Sequence, residues 1–152
     1  MDMNYGKKYG PDVWLSHGVP LAASQVFKYK SGKFMTNAAG VFNITATGEI
    51  PFGWASVGEY TSSAVASAEK VPLNISREAV YEMPVDAAFT EAEGLLLVGD
   101  VCDIVTTDNI QMADIGTSTD DILQIVGFDV DAQTVYVRLA VRLGITAEAG
   151  VI

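Results

Sequence analysis

The chain has 152 residues, a formal net charge of −10 and a hydrophobic content of 49%. This length and hydrophobicity predict one folded domain rather than a disordered segment, and the acidity disfavours a nucleic-acid partner because like charges repel. The chain contains no apolar run of 18 residues and begins without the apolar segment of a secretory signal, so we expect neither a membrane partner nor an export signal.

Residues 1–20 predict an irregular N-terminal arm, because three glycines and two prolines interrupt any regular structure there. The arm also holds aromatic residues, which pack either on the chain's own domain or on a partner. Residues 1–33 hold five lysines and two acidic residues, whereas the remainder holds four basic and seventeen acidic ones. The lysines belong either to a solvated surface or to a basic arm that docks on an acidic neighbour. The candidate contact residues of the arm are Tyr5, Lys7, Lys8, Tyr9 and Trp14.

Short strands are predicted after the arm. The segment Gln25–Thr36 predicts a hairpin with Ser31 and Gly32 at its tip, because glycine permits the backbone of a tight turn. Apolar and polar residues alternate along Val41–Thr47, which is typical of a half-buried antiparallel strand.

The next segment, Gly48–Gly58, predicts a strand that is entered through a bend. We expect its two large aromatic residues, Phe52 and Trp54, to fill the core rather than to line a ligand pocket. The small, polar segment Tyr60–Glu69 predicts a surface loop.

The segments Val71–Ile75 and Ala79–Val85 predict two further strands, and Pro84 marks a strand end or edge because it has no N–H to donate. The best helix candidate is Asp86–Glu93, and we expect Gly94 to end it. Two more strands are predicted, one within Leu95–Thr107 and one at Asn109–Met112.

The clearest signal is Ile122–Leu143, which predicts two strands joined by the polar turn Asp129–Thr134. Strict alternation places Val135, Val137, Leu139, Val141 and Leu143 on one face of the second strand. The opposite face carries Tyr136, Arg138 and Arg142, and tyrosine and arginine are frequent in protein interfaces. This face is therefore either a subunit contact or a solvated surface.

Together these patterns predict an all-β fold: a compact antiparallel β-barrel or sandwich of about eight to ten short strands, with at most one short helix. We divide the chain into an N-terminal arm, residues 1–20, and a single β-barrel domain, residues 21–152.

The sequence offers little material for catalysis or metal binding. With one histidine, His17, and one cysteine, Cys102, a zinc site is implausible, and no phosphate-binding or dinucleotide-binding motif occurs. The pair Asp129 and Asp131 resembles the start of a calcium loop but lacks its glycine and closing glutamate. We therefore expect no enzyme activity, no cofactor and no metal.

Several segments in order resemble the small β-barrel capsid decoration (cement) proteins of tailed bacteriophages. They are FKYKSGKF, GEIPFGWA, AVYEMPV, GDVCDIV, a polar loop with Ala113-Asp114, and ILQIVGFDVDAQTVYVRL. The resemblance covers residues 26–143. It implies a structural virion protein, made in the host cytoplasm, that binds the outer surface of the capsid and bridges major capsid subunits. It also implies a homo-oligomer, most simply a trimer.

Other classes remain open. Another virion component, such as a head fibre base or a tail protein, would have the same fold and the same lack of chemistry. A carbohydrate-binding β-module is suggested by Trp14, Trp54 and the tyrosines, because aromatic rings stack on sugars. A hydrolase that uses Asp100 and Asp103 is the weakest alternative.

Overall fold

The computed structural model describes residues 6–140, which form fourteen strands and one short helix. Five of the strands have only two residues. In chain order the elements are β1 Gly6–Tyr9, β2 Val19–Pro20, β3 Val26–Phe27, β4 Phe34–Ala38, β5 Val41–Ile44, β6 Gly53–Ala55, β7 Tyr60–Thr61, β8 Lys70–Val71, β9 Leu73–Asn74, β10 Val80–Pro84, α1 Glu91–Leu97, β11 Val101–Thr107, β12 Ile110–Asp114, β13 Leu123–Asp129 and β14 Thr134–Leu139.

These strands form two larger antiparallel sheets and two small two-stranded ones. The six-stranded sheet has the spatial order β1-β10-β14-β13-β11-β12, and the four-stranded sheet has the order β5-β4-β6-β9. The predicted all-β fold with one short helix is confirmed, but within residues 6–140 no sheet closes into a barrel.

The hairpin at the end of the described chain forms as its alternation predicts. Strand β13 pairs with β14 from Leu123 opposite Leu139 to Asp129 opposite Thr134. Val135, Val137 and Leu139 are buried, and Tyr136 and Arg138 on the other face are partly exposed. The remaining predicted core positions, Val141 and Leu143, lie outside the described residues.

The core has two clusters. One is built mainly from residues of the six-stranded sheet and also includes Phe34 and Trp54 from the four-stranded sheet. The other lies on the four-stranded sheet and includes Leu21, Phe27 and Leu73. Because side chains of both larger sheets enter the first cluster, burial of apolar area holds the sheets together.

The arm is only partly irregular. Strand β1 pairs with β10 in the large sheet, and β2 pairs with β8. Between them, Leu15 N–H donates to Leu73 O, and Ile75 N–H donates to Val13 O. The described part of the arm therefore docks on the chain's own domain.

Three local predictions were wrong. The segment Gln25–Thr36 is not a hairpin, because β3 pairs with β7 whereas β4 pairs with β5 and β6. Phe52 is 42% exposed, although Trp54 is buried in the core as expected. The helix begins at Glu91 and runs through Gly94 to Leu97.

Candidate functional site

Five of the predicted contact residues lie on the two strands that flank β10 in the six-stranded sheet: Lys7, Lys8 and Tyr9 on β1, and Tyr136 and Arg138 on β14. Register places Glu82 of β10 between Gly6 of β1 and Tyr136 of β14. Lys8 Nζ lies 2.7 Å from Glu82 Oε1 and 5.5 Å from the centroid of the Tyr136 ring. Burial raises the pKa of Tyr136, and the Glu82 carboxylate raises it further. We name the group formed by Lys8, Tyr9, Glu82, Tyr136 and Arg138 the β1–β14 face.

Within this face, Arg138 is held by its own sheet, since its Nε donates to Gln124 Oε1 at 3.0 Å. The remaining predicted contacts lie elsewhere or outside the described residues. Lys7 and Trp14 lie at a pocket described below. Tyr5 and Arg142 lie outside the described residues.

The pocket lies where the N-terminal segment crosses the four-stranded sheet, and its volume is about 490 Å³. On one side, Asp12 Oδ1 accepts from Lys7 Nζ at 2.7 Å and from Asn74 Nδ2 at 2.8 Å. Asn74 is buried, and its Oδ1 accepts from the backbone N–H of Val13 and of Ser76, both at 3.1 Å. The Asn74 side chain thus fixes the segment that carries Asp12 and Trp14. We call this cavity the Trp14 pocket.

Aromatic packing makes the opposite wall rigid. Trp54 stacks on Tyr81 with ring centroids 4.4 Å apart and an angle of 11°, and it meets Phe34 edge-on at 4.9 Å. The Tyr81 hydroxyl is buried without a hydrogen-bond partner among residues 6–140, and burial raises its pKa. Trp14, by contrast, is 49% exposed. The pocket therefore has one accessible indole and one that is locked into the core.

A different surface is apolar. At the end of α1, Leu95, Leu96 and Val98 are 65%, 78% and 45% exposed. Beside them lies a cavity of about 390 Å³ lined by Phe89 and Ile115, among other residues. We call Leu95, Leu96 and Val98 the α1 patch.

Asp103, which was considered for catalysis, and Asp129, which was considered for calcium binding, both stabilise loops. Asp103 is buried and accepts the backbone N–H groups of Thr119, Asp120 and Asp121 at 2.9–3.0 Å. Asp129 Oδ1 accepts two backbone N–H groups within its own turn at 3.0 Å, which is the ordinary role of a turn aspartate.

Histidine and cysteine also take no part in a common site. His17 is exposed, and burial raises the pKa of the Cys102 thiol to about 12. Among residues 6–140, no group of three or more His, Cys, Asp or Glu side chains is arranged to hold a metal ion.

The sequence did not point to Asp12 or Asn74 as pocket residues, nor to the α1 patch. Asn74 lies in a strand whose backbone partner, the segment around Val13, has no strand pattern of its own. A sequence signal for the helix that carries the α1 patch was present: Thr90 and Glu93 have the spacing of a capping box, which predicts a helix that begins there.

No helix in the described part of the chain is long and apolar enough to cross a membrane. Comparisons with protein-family models, with curated proteins and with solved structures gave no match.

Proposed function

We propose that this protein is a structural, non-enzymatic virion component that binds the outer surface of a tailed-phage capsid and stabilises it by bridging major capsid subunits. The resemblance of its segments to capsid decoration proteins supports the choice of partner, and the all-β fold is compatible with it. The same resemblance supports assembly as a trimer.

The observation that carries the proposal is the α1 patch. Three large apolar side chains are exposed to water within a span of four residues, and exposed apolar surface of this kind is typical of a protein contact. The helix that presents them is anchored to the domain by Gly94, which is buried, and by Leu97, which packs against the core. A rigid apolar projection of this kind fits a pocket between two subunits of a shell.

The β1–β14 face offers a second, polar contact. Tyr9 is 54% exposed, and Tyr136 and Arg138 are partly exposed beside it. Tyrosine and arginine provide large contact area and hydrogen bonds, and they are enriched among the residues that dominate interface energies. Because this face is built on hydrogen-bonded strands, little conformational entropy is lost when it binds.

Capsid stabilisation then follows from mass action. A protein that binds the assembled lattice but not its opened form shifts the equilibrium toward the assembled lattice. Because a shell carries many copies, each contact needs to contribute only about 1–2 kcal/mol to raise the stability of the whole particle.

The test is co-sedimentation with undecorated, expanded heads of tailed phages. We expect the double variant Leu95→Ser, Leu96→Ser to bind heads at least about tenfold more weakly, which corresponds to about 1.4 kcal/mol. The matched control is Val65→Ser, because Val65 is 67% exposed on a different surface loop.

Each outcome has a separate meaning. If the wild-type protein sediments with no heads, the proposed function is wrong. If the double variant binds like the control, the α1 patch is not the contact. Sedimentation equilibrium of the free protein tests the trimer.

A further inference from the structure

We infer that the Trp14 pocket is a binding site for a neutral carbohydrate ring. This inference does not depend on capsid binding, because the pocket shares no residue with the α1 patch or with the β1–β14 face. Its volume of about 490 Å³ lies within the range of about 300–1,000 Å³ that is typical of small-molecule sites.

The aromatic part of the pocket suits a sugar. A pyranose ring has an apolar C–H face, and a flat aromatic side chain that is open to solvent can pack on it. Trp14 is 49% exposed, and its backbone is bridged to Asn74, so the indole is presented from a fixed position. Trp54 is fixed by its stack on Tyr81 and closes the inner wall.

The polar part of the pocket suits hydroxyl groups. Both contacts of Asp12 are made by Oδ1, so Oδ2 has no protein donor among residues 6–140. Lys7 Nζ uses one of its three protons on Asp12. The open carboxylate oxygen can accept a hydrogen bond from one sugar hydroxyl, and the neighbouring ammonium group can donate a hydrogen bond to the next hydroxyl.

The charges at the mouth also favour a neutral ligand. Lys7 and Asp12 form an ion pair and compensate each other there, and both side chains are about one-third exposed. The third charged residue of the lining, Lys33, is buried, and its Nζ lies 6.0 Å from the centroid of the Trp54 ring. The exposed Ser56 adds a hydroxyl on the far side. In small-molecule sites, a small number of polar groups around an aromatic wall fixes the orientation of the ligand and gives the site its specificity.

A glycine in the wall allows a clean test. Gly58 lines the pocket, and a Cβ added there would meet no atom within 4 Å. The variant Gly58→Leu should therefore add a large side chain at the lining of the pocket without disturbing the fold. Gly116→Leu is the matched control, because a Cβ at Gly116 also meets no atom within 4 Å and Gly116 lies outside the Trp14 pocket.

The experiment is a screen of the full chain on an array of neutral glycans, followed by titration with the free neutral sugars that bind. Intrinsic tryptophan fluorescence and saturation-transfer NMR report binding, since Trp14 is exposed to the ligand. We expect Gly58→Leu, Trp14→Ala and Asp12→Asn each to weaken binding at least tenfold, and Gly116→Leu to bind like wild type.

Binding of no neutral glycan by the wild-type protein would overturn the inference, and so would wild-type affinity in the folded Trp14→Ala and Asp12→Asn variants. Co-sedimentation with heads is measured for the same variants. We expect head binding by Gly58→Leu to equal that of wild type, and a loss of head binding without any glycan binding would mark the pocket as a protein contact and overturn the inference.

Discussion

Glu82 is a carboxylate in the middle of a sheet, with only 1% of the residue exposed. It accepts a hydrogen bond from the Thr134 hydroxyl of β14, and Lys8 of β1 supplies the opposite charge at 2.7 Å. A buried carboxylate is costly unless it is paired and hydrogen-bonded, so Glu82 constrains both neighbouring strands.

The ion pair makes a prediction about stability. Lys8→Met leaves the Glu82 carboxylate without its cation, and we expect the free energy of unfolding to fall by about 2 kcal/mol, less than for a fully buried pair because Lys8 is partly exposed. Urea denaturation measures the change. Adding Glu82→Gln should recover part of the loss, since the amide still accepts from Thr134, and a double variant less stable than Lys8→Met would contradict the pairing.

The same pair predicts a dependence on alkaline pH. The hydrogen bond to Glu82 raises the pKa of Lys8 above its ordinary value of 10.5. The stabilisation is therefore complete below pH 10.5 and is lost as the pH rises through the raised pKa of the folded state. We expect the difference in unfolding free energy between wild type and Lys8→Met to shrink above this pH, and a constant difference up to complete deprotonation would argue against the pair.

Sequence patterns predicted which residues share a face of one strand but not which residues meet across distant strands. Tyr136 and Arg138 were predicted to share a face because strand alternation is strictly local. That Lys8 meets Tyr136 depends on β1 pairing with β10, more than 70 residues away in the chain, and no local pattern encodes this register. Trp54 and Phe52 differ in burial because Trp54 lies within β6, whose residues are all buried, whereas Phe52 precedes that strand.

At the level of elements, helix α1 shows why one glycine was misinterpreted. The Thr90 hydroxyl caps the helix by accepting from Glu93 N–H, and Glu93 Oε1 accepts from Thr90 N–H, so the helix begins later than predicted. Gly94 lies within it because the Phe128 ring packs against its Cα, where an added Cβ would lie 2.7 Å from two ring carbons. Here glycine serves close packing rather than helix termination.

Gly94→Ala should consequently destabilise the protein even though alanine is the better helix former by about 1 kcal/mol. Overlap with the ring costs about 1–3 kcal/mol, so we expect a net loss of about 1 kcal/mol in urea denaturation. In a Phe128→Ala background the overlap is gone and Gly94→Ala should stabilise. A gain in stability in the wild-type background would refute the packing role.

The turn between β4 and β5 gives an opportunity for stabilisation. Ala39 and Gly40 have φ values of 56° and 95°, which is the left-handed backbone of a two-residue hairpin turn. A left-handed residue with a side chain costs about 1–2 kcal/mol, and asparagine tolerates this region better than alanine.

Ala39→Asn should raise the free energy of unfolding by about 0.5–1 kcal/mol, measured by thermal and urea denaturation. The matched control is Ala46→Asn, because Ala46 is also exposed but does not have a positive φ. Equal effects at both positions would show that the backbone conformation of Ala39 is not the cause.

For the whole molecule, the buried side chain of Gln111 is one of the contacts that join the two larger sheets. Gln111 of β12 is fully buried, and its amide pairs with the Phe34 backbone of β4 as a neighbouring strand would, accepting from Phe34 N–H at 2.9 Å and donating to Phe34 O at 3.0 Å. Gly32 N–H donates to Gln111 O at 2.8 Å nearby. The Phe34, Trp54 and Tyr81 rings reinforce this joint.

Gln111→Leu removes these hydrogen bonds and replaces the amide with an apolar side chain of similar size. Phe34 N–H loses its partner in the core, whereas Phe34 O still accepts from Thr45 N–H, so we expect a loss of about 2–3 kcal/mol. Tryptophan fluorescence and far-ultraviolet circular dichroism should report one coincident transition for wild type. The control is Gln124→Leu, whose side chain is partly exposed, and a similar loss there would contradict a special role for Gln111.

The fold class and the β13–β14 hairpin were predictable because they depend on composition and on residues close in the chain. The sheet order was not, because its decisive pairings join distant segments such as β3 with β7 and β10 with β14. The Trp14 pocket was beyond prediction for the same reason: Asp12 and Trp54 approach each other only after the four-stranded sheet has formed.

The position of β10 between β1 and β14 also bears on synthesis. A ribosome delivers Gly6–Tyr9 more than 120 residues before Thr134–Leu139, so a nascent chain keeps one long side of Val80–Pro84 open until Thr134–Leu139 has been synthesised. Pairings between such distant segments form slowly, and unpaired strand edges in a growing chain attract other chains. Expression at lower temperature, which slows aggregation relative to closure of this last gap, should therefore improve the soluble yield.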